Sequence, residues 1–172
     1  MSAQEEAEEH LHHAETAFDK SVAGTMAIIA ALLAIVSVLG QHFNTEELLN
    51  QQQASDQWAF SQAKDIRRYS AEIAQDALAS IRADPKLLAR YSQDSAKYLK
   101  QREAIQEQAR ELEHERDRSG RRANQLHFGE VFLEIAIVLS SLAILSKMRL
   151  LFWFGVAAGA AGIVISALAA VV

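Results

Sequence analysis

LLFWFGVAAGAAGIVISALAAVV, residues Leu150–Val172, contains no charged residue and no proline. A helix rises about 1.5 Å per residue and needs about 20 apolar residues to cross a hydrocarbon core. This stretch meets that requirement. Working back along the chain, Phe128–Leu145 and Val22–Leu39 are also long and apolar. Only a basic turn, Lys147–Arg149, separates the last two stretches. Gln41–His127, mostly polar, separates the first two. The pattern predicts an all-α membrane protein with three transmembrane helices and one long extramembrane insertion between the first and second.

The expected organisation follows directly. Residues 1–20 form an acidic tail, 21–40 a first span and 41–127 the insertion. Residues 128–146 form a second span, 147–149 a turn and 150–172 a third span. The insertion folds as an antiparallel helical hairpin because its middle holds the chain's sole proline, Pro85. Asp84 before it is a good helix N-cap, and proline suits the first helical position. The same pair ends the preceding helix. The arms on either side, Gln41–Ala83 and Lys86–His127, are nearly equal in length. They return the chain to the level it left, and as helices they reach about 60 Å.

Periodicity supports the second arm. Leu88, Tyr91, Ser95, Tyr98, Arg102, Ile105, Ala109, Leu112, Arg116, Ser119, Ala123 and Leu126 follow steps of three and four. That is a coiled-coil seam, interrupted by serine and arginine. The first arm has a looser stripe of Ser55, Trp58, Gln62, Ile66, Tyr69, Ile73 and Ala77. Stabilisation scales with buried apolar area, and this seam has little, so a larger bundle is expected to supply more. Gly120 weakens the second arm by about 1 kcal/mol relative to alanine and marks a place for a bend.

Charge and composition exclude some functions. The net charge is −5, concentrated in Glu5, Glu6, Glu8, Glu9, Glu15 and Asp19. The insertion balances its acids against its bases, so no basic face points to nucleic acid. There is no cysteine, hence no disulfide and no thiolate metal site. The acidic N-terminus lacks the basic region of a secretory signal, so the first apolar stretch is expected to stay as an anchor. Lys20, Lys147 and Arg149 favour a cytoplasmic tail and turn, with the hairpin outside the cytoplasm. Arg116, Arg118, Arg121 and Arg122 argue the other way, but long insertions translocate largely regardless of charge.

The stretch Gln53–Arg67, QASDQWAFSQAKDIR, resembles the signature of an uncharacterised bacterial membrane family, domain-of-unknown-function family 4337. His10-Leu11-His12 and the ending through Phe128, Ala136, Leu145 and Gly162 are similar to it as well. Ser61 stands where the family usually has an aromatic residue, and Asp65 where it has serine. The resemblance implies a three-span helical protein of a bacterial inner membrane. It brings no reaction, cofactor or ligand.

Several residues are candidates for chemistry or contact. Trp58 lies about 27 Å beyond the first span along a helix, too far for a headgroup anchor. It is either a core residue of the hairpin or a contact for a partner. Trp58, Gln62, Ile66 and Tyr69 on the first arm, with Tyr91, Tyr98, Ile105 and Leu112 on the second, are the expected interaction residues. Glu130 and Glu134 stand one turn apart in the second span, with His42 and His127 at a similar level. Carboxylates at membrane depth face a bundle interior or water, so this pair is a candidate ion or proton site as well as a structural one. Ser140 and Ser141 suit hydrogen bonds across helices. His10, His12 and His13 beside Glu8 and Glu9 read chiefly as a solvated tail, since ligands without a second shell make a weak metal site. Glu111–Arg118 reads as a water-facing run of paired charges. Gly155, Gly159 and Gly162 set a small-residue stripe for close helix packing, within one protomer or between subunits. No catalytic motif appears.

The expectation is a non-enzymatic integral membrane protein without cofactor or metal. Its partners are lipid, copies of itself and an unidentified protein, and its role is that of a homo-oligomeric scaffold. The alternative is an oligomeric ion or proton conduit using Glu134 and Glu130. Few polar residues occur in the first and third spans, which leans toward the scaffold.

Overall fold

The computed structural model describes residues 3–82 and 84–169, with side chains described from residue 17 onward. The histidine and glutamate side chains of the tail, His10, His12, His13, Glu8 and Glu9, lie outside the described residues. The described chain is all-helical: α1 (Ala3–Ser80), α2 (Pro85–Ser146) and α3 (Arg149–Leu168). Each contains a segment long and apolar enough to cross a membrane. α1 runs through Gly40 and α2 through Gly120 without a helical break.

Local chemistry sets the two turns. Asp84 caps α2 as its position before Pro85 predicts. Its Oδ1 accepts the Lys86 backbone N–H at 2.9 Å, and its carbonyl accepts those of Leu87 and Leu88. Arg82, just after α1, has φ 52, and Lys147, between α2 and α3, has φ 56. Both are left-handed positions occupied by residues other than glycine, which costs about 1 kcal/mol each.

The chain packs as two compact units. One comprises Met1–Asn44 and Gly120–Val172. Its core is Ile29 of α1 with Leu133 and Ala136 of α2, and Leu33, Val36, Ile137 and Ala158 pack around them. α3 lies antiparallel to α2: Gly155 sits by Ala136 and Ser140, and Gly162 by Gly129 and Leu133.

The other unit is Thr45–Ser119. Here residues 45–80 of α1 and 85–119 of α2 run side by side and antiparallel. Gln51 bonds Arg116, Asp65 bonds Arg102 and Glu72 bonds Ser95, so one partner rises as the other falls. On α2 the residues of the sequence-derived seam from Leu88 to Ser119 are all buried or half-buried. On α1 the expected stripe does not form the seam. Trp58 alone of that stripe is half-buried, while Ser55, Gln62, Ile66, Tyr69, Ile73 and Ala77 are exposed. Ala54, Ser61 and Ala71 are buried in their place. Ala54, Trp58, Ser61, Asp65, Arg68 and Glu72 follow one another at steps of three and four, and the bonds of Trp58, Asp65 and Glu72 across to α2 turn this line, rather than the more apolar one, toward the partner helix.

Candidate interaction surfaces

The seam of the second unit is polar and closely matched. Trp58 Nε1 donates to Glu113 Oε1 at 2.9 Å. Arg68 donates to Asp65 at 3.0 Å and to Glu72 at 2.8 Å. Arg102 reaches the same Asp65 oxygen at 3.1 Å, and Ser95 donates to Glu72 at 2.9 Å. Asp65 therefore accepts from one arginine on its own helix and one across the seam. The Arg68 hydrogen bond, assisted by Arg102, holds its carboxyl below the usual range. Arg68 is correspondingly raised, first by its bond to Asp65. This network was not among the sequence candidates. Part of it was readable, because Asp65, Arg68 and Glu72 have the spacing of helical ion pairs. Their contact with Ser95 and Arg102 depends on the register of the pairing.

The structure divides the eight expected interaction residues into two sets. Tyr91, Tyr98, Ile105 and Leu112 face the seam, with Ile105 buried and the others half-buried. Trp58 joins them. Gln62, Ile66 and Tyr69 point away. Ile66 is 66% exposed, Tyr69 52% and Ile73 69%, and they follow one another at steps of three and four. The Arg68 guanidinium covers one side of the Tyr69 ring at 4.1 Å. α1 thus presents two packing faces in this unit, one used within the protomer and one open.

In the first unit, Glu130 and Glu134 separate. Glu130 is half-buried with His127 Nδ1 3.5 Å from its carboxylate. Glu134 is exposed, and so is Ser141, which lies a further seven residues on. Ser140 is fully buried, and its hydroxyl has no partner among the described residues. The glycines of α3 turn toward α2. A Cβ at Gly162 would come within 2.8 Å of the Gly129 carbonyl oxygen, and one at Gly155 within 2.8 Å of Ser140 Oγ. The close approach of these helices therefore needs glycine at Gly162, where the clash is with backbone, and leaves little room for a side chain at Gly155. At the far end, Lys147 Nζ bonds Asp19 at 2.7 Å, and Phe18 meets Phe152 edge to face. Among the described residues, no three acidic or histidine side chains are grouped to hold a metal ion.

Residues 18–172 match the model of a family described as a domain of unknown function, DUF4337. The chain belongs to this family. No curated protein and no solved structure matches it. Membership of the DUF4337 family carries no named activity, so function rests on the surfaces themselves.

Proposed function

We propose that this DUF4337 protein is a non-enzymatic, homo-oligomeric membrane scaffold. Its three apolar segments cross a bacterial inner membrane. The paired segments of α1 and α2 stand outside the bilayer as a helical hairpin, with the tail and the Lys147 turn on the cytoplasmic side. Copies meet on the open face of the first arm. The observation that carries this reading is the outward stripe of Ile66, Tyr69 and Ile73. Aromatic and branched apolar residues at helical spacing on an exposed face are a helix-packing surface without its partner. Energetics favour another copy in that place. The seam buries mainly alanine and serine on the α1 side, so the hairpin alone gains little from apolar burial. A second hairpin on the outer face supplies the missing area, and both occur wherever the chain is made.

The test is the mass of the detergent-solubilised complex. Ile66→Arg combined with Ile73→Arg should lower it, because the contact on the first arm is lost. An unchanged mass contradicts the scaffold reading. Trp58→Ala acts differently, because Trp58 is tied to Glu113 within the protomer.

Conduction is the second reading, and the outward position of Glu134 favours it. Several copies are required, since three spans enclose no wide pore. Glu130 would contribute little, being half-buried beside His127. Proton flux into vesicles carrying the protein, abolished by Glu134→Gln, would establish this role. Absent flux, or flux that ignores the substitution, ends it.

A further inference from the structure

The apolar segment of α2 carries an outward stripe of unusual composition. Val131, Glu134, Val138, Ser141 and Leu145 follow steps of three and four, and all are exposed. His127, also exposed, begins the same line. Polar groups recur every seventh residue, at His127, Glu134 and Ser141, with valine between them. The stripe lies on the side of α2 away from the buried Leu133, Ala136 and Ser140, so neither α1 nor α3 covers it. Among the described residues, Glu134 and Ser141 make no hydrogen bond or ion pair. The other polar side chains within the apolar segments, Thr25, Ser37, Glu130, Ser140 and Ser166, are buried or half-buried.

We infer that α2 pairs in parallel with the α2 of a second copy of this chain along this stripe. The inference rests on the proposal that the apolar segments cross a membrane and that copies assemble. Lipid tails offer no hydrogen bond, so a carboxyl group and a hydroxyl facing them are costly. A second copy inserted in the same orientation presents its own Glu134 and Ser141 at the same depth. The two Ser141 hydroxyls then bond each other, the two Glu134 carboxyls pair by sharing one proton, with the protonated one donating to the other, and the intervening valines interdigitate. A seven-residue repeat matches a left-handed crossing of about 20° between the helices, which keeps equivalent residues facing along the contact. Lipid alone satisfies the valines and Leu145 but not Glu134. A soluble partner cannot reach Val138.

The chain has no cysteine, so single-cysteine crosslinking of the full protein reads this contact directly. Val131→Cys and Val138→Cys test the stripe in vesicles of phosphatidylethanolamine and phosphatidylglycerol. Ile28→Cys on α1 and Val164→Cys on α3 are the exposed controls. The stripe variants should form oxidised dimers several-fold faster than the controls, and adding Glu134→Gln, whose amide still donates and accepts, should preserve that advantage. Stripe rates no higher than the controls overturn the inference. Ile73→Cys on the outer arm separates the two readings. If it crosslinks while the stripe does not, the α2 contact falls and the hairpin contact stands. If the stripe crosslinks and Ile73→Cys does not, the α2 contact stands alone.

Discussion

The two antiparallel segments of the Thr45–Ser119 unit use opposite strategies. Residues 85–119 of α2 turn their large side chains inward: Tyr91, Tyr98, Ile105 and Leu112 all face the seam. Residues 45–80 of α1 keep Trp58 inward but turn most of their bulk outward, with Leu48, Phe60, Ile66, Tyr69 and Ile73 each at least half exposed. One segment has a single packing face; the other has two. The proposed self-association rests on this asymmetry.

The largest effect should come from attacking the shared seam. Ala109 is fully buried there. Ala109→Arg introduces a charge with no room and no partner, and should cost several kcal/mol. Thermal unfolding followed by circular dichroism checks it. A midpoint like the wild type would mean that the inward face of α2 is misassigned.

A matched pair of truncations sharpens the contrast. Ile105→Ala should destabilise the protomer by about 2–4 kcal/mol, since it opens a cavity in the seam. Ile66→Ala should change protomer stability by less than about 0.5 kcal/mol, because it removes an exposed side chain. Its effect should appear in assembly instead. Denaturant unfolding in dilute detergent gives the first quantity, and sedimentation of the complex gives the second. Equal protomer losses would erase the distinction between the arms.

The polar bridge between the arms predicts a smaller, pH-dependent effect. The Asp65 carboxyl titrates below its ordinary value of 3.8 because Arg68 and Arg102 bond its charged form. A lowered folded-state value contributes stability that is fully present above the unfolded value and is lost as pH falls through the folded one. Stability should therefore decline below about pH 4 in the wild type. Asp65→Asn should remove that part of the decline. Unfolding midpoints measured from pH 6 down to pH 3 compare the two proteins, and parallel curves would show that the bridge is not formed.

The turn joining the arms should respond least. Arg82 has φ 52, which glycine adopts without a Cβ clash. Arg82→Gly should raise stability by at most about 1 kcal/mol. A clear loss would indicate that the Arg82 side chain holds the turn.

Much of the helical frame was legible in the residues. The apolar stretches mark three membrane-length segments, and Asp84-Pro85 marks the start of α2 through the capping chemistry of those two residues. The inward face of α2 was legible because its bulky residues lie on one stripe. The inward face of α1 was not. Ala54 and Ser61 have no hydropathic signal of their own, and they are covered because they lie on one line with Trp58, Asp65 and Glu72, whose polar bonds reach α2. Periodicity in α1 instead picked out Ile66, Tyr69 and Ile73, a real stripe pointing the other way. The separation of Glu130 from Glu134 was hidden for a similar reason. One turn apart on an isolated helix they share a face, and only the positions of α1 and α3 decide which of them is covered.

The outer face of the first arm can be read by a spin label at Ile66→Cys, which is the sole thiol in the protein. In lipid vesicles, copies packed on this face should show dipolar broadening between labels that fades on dilution with unlabelled chain, together with slow exchange with aqueous relaxants. A sharp, freely accessible signal that is the same at every dilution would contradict it.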